Sequence, residues 1–275
     1  MPVARLAVLG SPIAHSLSPE LHRAAYGVLG LDWSYEAVDV TRERLVEFVT
    51  SRDDSWRGLS LTMPLKIEIL PLLRDVAELT RETGSANTVL FGPEGLRGFN
   101  TDVFGLIGGF ARHGITALGS VLILGGGATA ASALVAAARL GAHAVFVGVR
   151  SPERAATLRA IASAQGVELQ VRDLRDLLEV DERLDAVIST LPNGAAVEVA
   201  LDPDTVAHAT LFDVAYSPWP TPLAASWTGD DVIGGLEMLV LQALAQVRIF
   251  VHGDPDRKLD GDDDVLAAML AAVRL

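Results

Sequence analysis

Three consecutive glycines, Gly125-Gly126-Gly127, stand between four apolar residues, Val121 to Leu124, and an alanine-rich run from Ala128 to Leu140. An apolar run of that length suits a buried strand of a parallel sheet. The alanine run suits a helix that Gly141 ends, and Ala144 to Val149 makes a second buried strand. Strand, glycine turn, helix and strand form a βαβ unit whose first turn has the chemistry of a dinucleotide site. Gly125 permits the tight turn, and Gly127 puts no Cβ between the backbone and a pyrophosphate. From Ala128 onward the free N–H groups of the helix start face the phosphates. The uncharged stretch Val121 to Ala138 is long enough to suggest a membrane span, but the glycines near its start would break such a helix.

The end of the second strand selects the nucleotide. An NAD site usually carries an acidic residue roughly 20 residues past the glycines, to accept from the ribose 2′-OH. Here the chain reads Val149-Arg150-Ser151, then Pro152-Glu153-Arg154. A guanidinium clasps a 2′-phosphate bidentately, where a carboxylate would repel it. Ser151 and Pro152 read as the N-cap and first residue of a helix from Pro152 to Ala164, a second anion-binding start. The expected cofactor is therefore NADP, held by Gly125, Gly126, Gly127, Ala128, Arg150, Ser151 and Arg154.

Lys66 breaks a local rule. Met63-Pro64-Leu65-Lys66 starts a helix with Pro64 at its first position, and a cation there opposes the helix macrodipole. Such violations are where function is sought first, and the dipole would lower the amine's pKa toward a range useful for proton transfer. Asp102 begins the helix Val103 to Phe110, where a carboxylate is expected for structural reasons alone. Ser18, before Pro19, suits the N-cap of a helix from Glu20 to Leu29. Ser16 and Ser18 together also suit a substrate carboxylate. An apolar helix from Gly235 to about His252 carries one conspicuous amide, Gln242.

These residues need a scaffold. Strands are expected at Val3 to Leu9, Trp33 to Val40 and Gly58 to Thr62, with a helix from Arg42 to Val49. Asn87 to Phe91 turns through Gly92-Pro93-Glu94-Gly95 into Leu96 to Asn100. Beyond the βαβ unit, strands at Val167 to Val171, Asp185 to Ser189 and Leu211 to Val214 give a doubly wound α/β pattern, with ligands at the carboxyl ends of the strands. Two loops leave those ends, Thr190 to Asn193 and Ala215 to Leu223; the second brings Tyr216 toward the ligand. The closing helix, about Asp263 to Arg274, follows Asp260-Gly261-Asp262-Asp263-Asp264. That run reads as a solvated acidic helix start, not an EF-hand, because Val265 stands where the turn glycine belongs.

At 275 residues, half of them hydrophobic, the chain is long enough for two domains. A net charge of −13 opposes nucleic acid or an anionic membrane as partner, though it says little about a small anionic substrate. The absence of cysteine excludes disulfides and thiolate metal sites and makes the cytoplasm the simplest location. The apolar run after Arg5 is too short for a signal peptide. No His, Asp or Glu cluster has metal-ligand spacing, and neither a nucleophile elbow nor a P-loop occurs.

Taken in order, the chain resembles the shikimate dehydrogenase family from end to end. The resemblance is carried by Gly10-Ser-Pro-Ile-Ala-His-Ser-Leu-Ser-Pro-Glu-Leu-His22, Thr62-Met-Pro-Leu-Lys66, Ala86-Asn-Thr88, Asn100-Thr-Asp-Val-Phe-Gly105, Tyr216 with Thr221-Pro-Leu223, and Met238-Leu-Val-Leu-Gln242. It implies an N-terminal α/β substrate domain, 1–101, rejoined by C-terminal helices at 236–275. A Rossmann-type NADP domain would occupy 102–235. Ser16, Ser18, Thr62, Asn87, Asp102 and Gln242 would bind shikimate, Lys66 and Asp102 would form the acid–base pair, and Tyr216 and Gly235 would lie near the nicotinamide. The implied reaction is reversible reduction of 3-dehydroshikimate by NADPH, a step of aromatic amino acid biosynthesis. Quinate or aminoshikimate as substrate, a non-catalytic NADP-binding sensor, and a homodimer all stay open. Four positions depart from the pattern: Arg23, Ser60 and Val149 each replace an asparagine, and Ala128 replaces a glycine.

Overall fold

The computed structural model describes residues 4–151, 155–177, 180, 183–192, 199–229 and 231–275. The stretches Met1–Thr101 and Leu239–Leu275 form one compact unit, and Asp102–Met238 forms the other.

The first unit begins with β1 (Ala4–Gly10), α1 (Ser18–Val28), β2 (Trp33–Asp39), α2 (Arg42–Thr50), β3 (Trp56–Leu61) and the single turn α3 (Leu65–Glu68). There follow β4 (Asp75–Val76), α4 (Glu78–Thr83), β5 (Thr88–Gly92) and β6 (Gly95–Phe99). Its sheet has the order β2-β1-β3-β5-β6-β4. β1 runs parallel to both β2 and β3, whereas β5 is antiparallel to β3 and to β6. β1 explains why its sequence is an unbroken apolar run. Leu6 and Val8 face one core, with Leu21, Tyr26, Val240, Val247 and Phe250, while Ala7 and Leu9 face another, with Leu45, Leu59, Leu61 and Leu65. A strand covered on both faces has no reason to alternate.

The second unit contains α5 (Asp102–Arg112), β7 (Ser120–Leu124), α6 (Ala128–Arg139), β8 (Ala144–Val149), α7 (Ala156–Gln165) and β9 (Glu168–Asp173). The chain returns through β10 (Ala186–Ser189), α8 (Pro203–His208), β11 (Thr210–Asp213), α9 (Pro222–Ser226) and β12 (Val232–Gly234). All pairings are parallel, in the order β12-β11-β10-β7-β8-β9. The chain winds outward from β7 on one side, then restarts at β10 on the other, so the order reverses between β7 and β10. That is the doubly wound arrangement the sequence predicts, with the glycine turn at the reversal.

The long helix α10 (Gly235–His252) and α11 (Asp262–Ala272) complete the chain. α10 is long and apolar enough to cross a membrane, but two thirds of it is buried, and Val240, Ala243, Leu244, Val247 and Phe250 build the first unit's core. The acidic start of α11 is solvated as expected at Asp260, Asp263 and Asp264, but not at Asp262. Asp262 is buried and takes a bidentate pair from Arg248, at 2.9 and 2.7 Å, and a bond from the Leu259 N–H. Burial would raise its pKa, but Arg248 and Leu259 outweigh that and hold it below the ordinary carboxylate value. The guanidinium also donates to the Pro255 carbonyl, so α11 is fastened to α10 through a paired charge.

The sequence reading missed β4, α4, α8, α9 and β12. Each has six residues or fewer, too few to show a period. It also placed the start of α1 two residues late.

Gly58 sets how closely β3 meets α10. A Cβ there would lie 2.4 Å from the Phe250 ring and 2.7 Å from the Val89 carbonyl oxygen. Gly58→Ala should therefore lower the unfolding free energy by about 1–3 kcal/mol, the usual cost of overpacking, in a denaturant titration. An unchanged midpoint would show that the ring can move aside.

Candidate active site

At one end of the first sheet, backbone bonds tie three loops together. The Ser11 N–H donates to the Met63 carbonyl, and Thr62 N–H to Leu9; Leu61 N–H donates to Asn87, and Ala86 N–H to the Lys66 carbonyl. Gly10 permits this approach, since a Cβ there would meet the Thr62 methyl at 2.4 Å and the Met63 carbonyl oxygen at 2.9 Å. Thr62 and the Lys66 main chain are thus fixed beside Asn87.

Lys66 is half-buried, but the helix argument for it fails. Pro64 caps α3 instead of opening it, and α3 is four residues long. One turn sums too few peptide dipoles to make a macrodipole. Ser18 also departs from expectation. The helix begins at Ser18 itself, with Leu17 in the capping position, and the Ser18 side chain is buried and hydrogen-bonded to Tyr35. Ser16 is half-buried, and its hydroxyl accepts the Ser18 N–H at 3.4 Å.

Asn87 and Gln242 do come together. Asn87 Nδ2 lies 2.9 Å from Thr101 Oγ1 and 3.3 Å from Gln242 Oε1, and its Oδ1 accepts the Thr101 N–H at 2.9 Å. Gln242 Nε2 donates to the Leu239 carbonyl. Thr101 was not among the candidates, although it lies inside the Asn100–Gly105 motif. Gln246 was missed as well. It sits four residues after Gln242 on α10, one helical turn along the same face.

Behind this cluster lies a buried polar network. Gln246 Nε2 donates to the Asn87 carbonyl at 3.2 Å and to Thr88 Oγ1 at 3.0 Å. Gln246 Oε1 faces Ser60 Oγ at 2.8 Å and His22 Nε2 at 3.2 Å. Tyr35 donates to Ser60 at 2.6 Å, while Tyr26 meets His22 Nδ1 at 3.0 Å. The imidazole is fully buried and stacks on Tyr35 with centroids 3.9 Å apart. Burial lowers its pKa to about 3, against a smaller opposing effect of the Gln246 bond.

In the second unit, Gly125 has φ +115°, and a Cβ there would meet Thr190 Oγ1 at 2.4 Å. Only glycine fits. Gly126 is half-buried; Gly127 is exposed, and a Cβ on it would meet nothing within 4 Å. Gly127 caps α6 without a side-chain bond, which leaves the first N–H groups of a 12-residue helix, Ala128 among them, without intrahelical partners. Uncapped donors beside open space suit an anionic pyrophosphate. Arg150 is exposed just past β8, and Ser151 follows it half-buried; Arg154, with Pro152 and Glu153, falls outside the described residues.

Asp102 is buried as the first residue of α5. Gly235 opens α10 with backbone directly against it, since a Cβ would lie 2.1 Å from the Val214 carbonyl oxygen. Its missing side chain is accounted for by packing alone. Tyr216 is half-buried, and burial raises its pKa. The loop carrying it is anchored by Asp213, which the sequence reading passed over. Asp213 is buried and accepts from Thr221 Oγ1 at 2.6 Å and from the Ala215 N–H at 3.2 Å. Its pKa is raised by burial, against the opposing bonds from Thr221, Ala215 and Ser189.

Residues 8–89 match the model of the shikimate dehydrogenase substrate binding domain. The shikimate dehydrogenase (NADP(+)) of Ignicoccus hospitalis is 32% identical over 256 residues, which is 90% of this chain and 94% of that protein. The chain belongs to the shikimate dehydrogenase family. Solved shikimate dehydrogenases share its fold. That of Mycobacterium tuberculosis superposes with a TM-score of 0.84 at 36% identity, covering 98% of this chain and 99% of the other. The enzyme of Thermus thermophilus, solved in complex with NADP(H) and shikimate, gives 0.79 at 30% identity and covers 98% and 99%.

His22 makes stability depend on pH. The unfolded imidazole titrates near 6.5 and the folded one near 3, so the unfolded state binds more protons between those values. The stabilisation is complete above the unfolded value and is lost as pH falls through the window. Between pH 7 and pH 5 His22 should cost about 2 kcal/mol of unfolding free energy. Urea titrations of His22→Gln should show that part of the slope gone; an unaltered slope would mean that His22 is protonated in the fold.

Proposed function

We propose that this chain catalyses the reversible NADPH-dependent reduction of 3-dehydroshikimate to shikimate. The observation that carries the reading is the buried set Asn87, Thr101 and Gln242, tied through Leu61 and Ala86 to the loops of Thr62 and Lys66. A ring acid bearing several hydroxyls needs such a floor of fixed donors and acceptors. The full-length relatedness to shikimate dehydrogenases supports the same conclusion.

Bound NADPH would supply the hydride, held by the uncapped start of α6 at Gly125, Gly126, Gly127 and Ala128, with Arg150, Ser151 and Arg154 at the 2′-phosphate. Val149, in place of the amide the resemblance implies at the adenosine end, weakens the preference for NADP over NAD, and Arg150 supports it. Lys66 would act at the ring ketone. As the carbonyl carbon gains the hydride, negative charge grows on the oxygen, and the ammonium stabilises it and delivers a proton from Nζ. In the reverse direction the neutral amine takes that proton from the hydroxyl. Asp102 is assigned the neighbouring ring hydroxyl as a hydrogen-bond acceptor. Ser16 and Ser18 are assigned the carboxylate, with Ser18 turning its proton from Tyr35 to the ligand; Thr62, Asn87 and Gln242 are assigned the remaining hydroxyls, and Tyr216 and Gly235 the nicotinamide end. The lack of cysteine fits a reducing cytosol.

Two measurements test this with shikimate and NADP+, following reduced nicotinamide. Lys66→Ala should cost roughly 10²–10⁴-fold in kcat, the usual worth of a general acid–base group. A near-normal kcat would remove Lys66 from the mechanism. Arg150→Ala should lower the preference for NADPH over NADH by about tenfold, the worth of a charge-assisted hydrogen bond; an unchanged preference would dismiss Arg150. Quinate offered in place of shikimate distinguishes the two ring acids.

A further inference from the structure

We propose that Gln246 and Thr88 are positioning residues for the substrate site, holding the Asn87 amide so that Nδ2 is the atom offered beside Gln242. The proposal rests on the reading of Asn87 as a substrate-binding residue.

The argument follows from groups that can bond in one sense only. A backbone N–H donates and a backbone carbonyl accepts. The Asn87 side-chain atom 2.9 Å from the Thr101 N–H must therefore be the oxygen. In the same way, the Gln246 atom 3.2 Å from the Asn87 carbonyl must be the nitrogen. Each assignment fixes the next. Gln246 Nε2 also donates to Thr88 Oγ1 at 3.0 Å, which occupies a lone pair of that hydroxyl and turns its proton toward Asn87 Oδ1 at 2.9 Å. Asn87 Oδ1 then receives both Thr88 and the Thr101 main chain.

The far side of Gln246 is constrained equally. Its Oε1 faces Ser60 and His22, which must both be donors there. Neutral His22 then carries its proton on Nε2 and accepts from Tyr26 at Nδ1. Ser60, donating to Gln246, accepts from Tyr35. His22, Ser60, Thr88, Asn87 and Gln246 are all buried, so a reversed amide would leave two mismatched pairs without water to relieve them. The register of β3 and β5, which sets Ser60 opposite Thr88, brings both hydroxyls within reach of Gln246.

The test is steady-state kinetics of shikimate oxidation, with KM measured separately for shikimate and for NADP+. Gln246→Met keeps the volume and removes the donors; Thr88→Val keeps the shape and removes the hydroxyl. Each should raise the KM for shikimate about tenfold, as expected for about 1.4 kcal/mol, and leave the KM for NADP+ within twofold. Thr88→Ser, which restores the hydroxyl, should recover most of the loss. Asn87→Ala separates the two claims. If it leaves the KM for shikimate unchanged, the reading of Asn87 fails and the proposal with it. If it raises that KM while Gln246→Met and Thr88→Val do not, the positioning role is overturned and Asn87 stands. A parallel rise in both KM values for Thr88→Val would also overturn it, because loosened structure has no reason to select one ligand.

Discussion

Main-chain amides cannot exchange donor for acceptor, and in the first unit this asymmetry governs the polar interior. The Thr101 N–H and the Asn87 carbonyl set the sense of every side-chain bond that runs from them to Tyr26 and Tyr35. Each unsatisfied member of such a buried set would cost about 1–3 kcal/mol. The residues therefore stand or fall as a group, and a change at one must be met at another. Ser60 illustrates the point: it takes a bond from Tyr35 and gives one to Gln246 on α10, so it closes the set from the strand side.

The two units handle charge and polarity by different means. In the first, polar side chains are sunk between apolar faces and hold each other. In the second, backbone geometry prevails: a positive-φ glycine beside Thr190, a capping glycine with open space above it, and a reversal of strand order at that corner. Side chains hold the loop after β11, at Asp213 and Thr221. A polyhydroxylated ring acid needs specific partners, whereas a pyrophosphate needs only donors without competitors.

Long elements were legible because their physics is local. β8 and α10 have the predicted bounds, and β7, α6 and β11 differ by a residue or so, since buried parallel strands and alanine-rich helices announce themselves in composition. The glycine corner was legible too, because its backbone requirement shows in the residue types. Lys66 was singled out for a reason the structure removes: a helix start inferred from Pro64 proved to be one turn. Ser18 was given a capping role that local preference favours, but Tyr35, distant in sequence, claims its hydroxyl. Gln246, Thr101 and Asp213 went unnoticed because what distinguishes them is the partner they meet across the fold, and single-sequence patterns carry no such information.

The first unit is sewn from two separated pieces of chain, and a ribosome makes them far apart in time. One apolar face of its sheet can close early, since Leu45, Leu59, Leu61 and Leu65 belong to the leading piece. The opposite face waits for Val240 through Met269, which emerge only after the whole intervening unit has been synthesised. During that interval Leu6, Val8, Leu90 and Phe99 have α1 beside them but lack the cover of α10 and α11, and the nascent chain is more open to chaperones and to unwanted partners. The ion pair between Arg248 and Asp262 lies wholly within the trailing piece and forms after the contacts of the leading one.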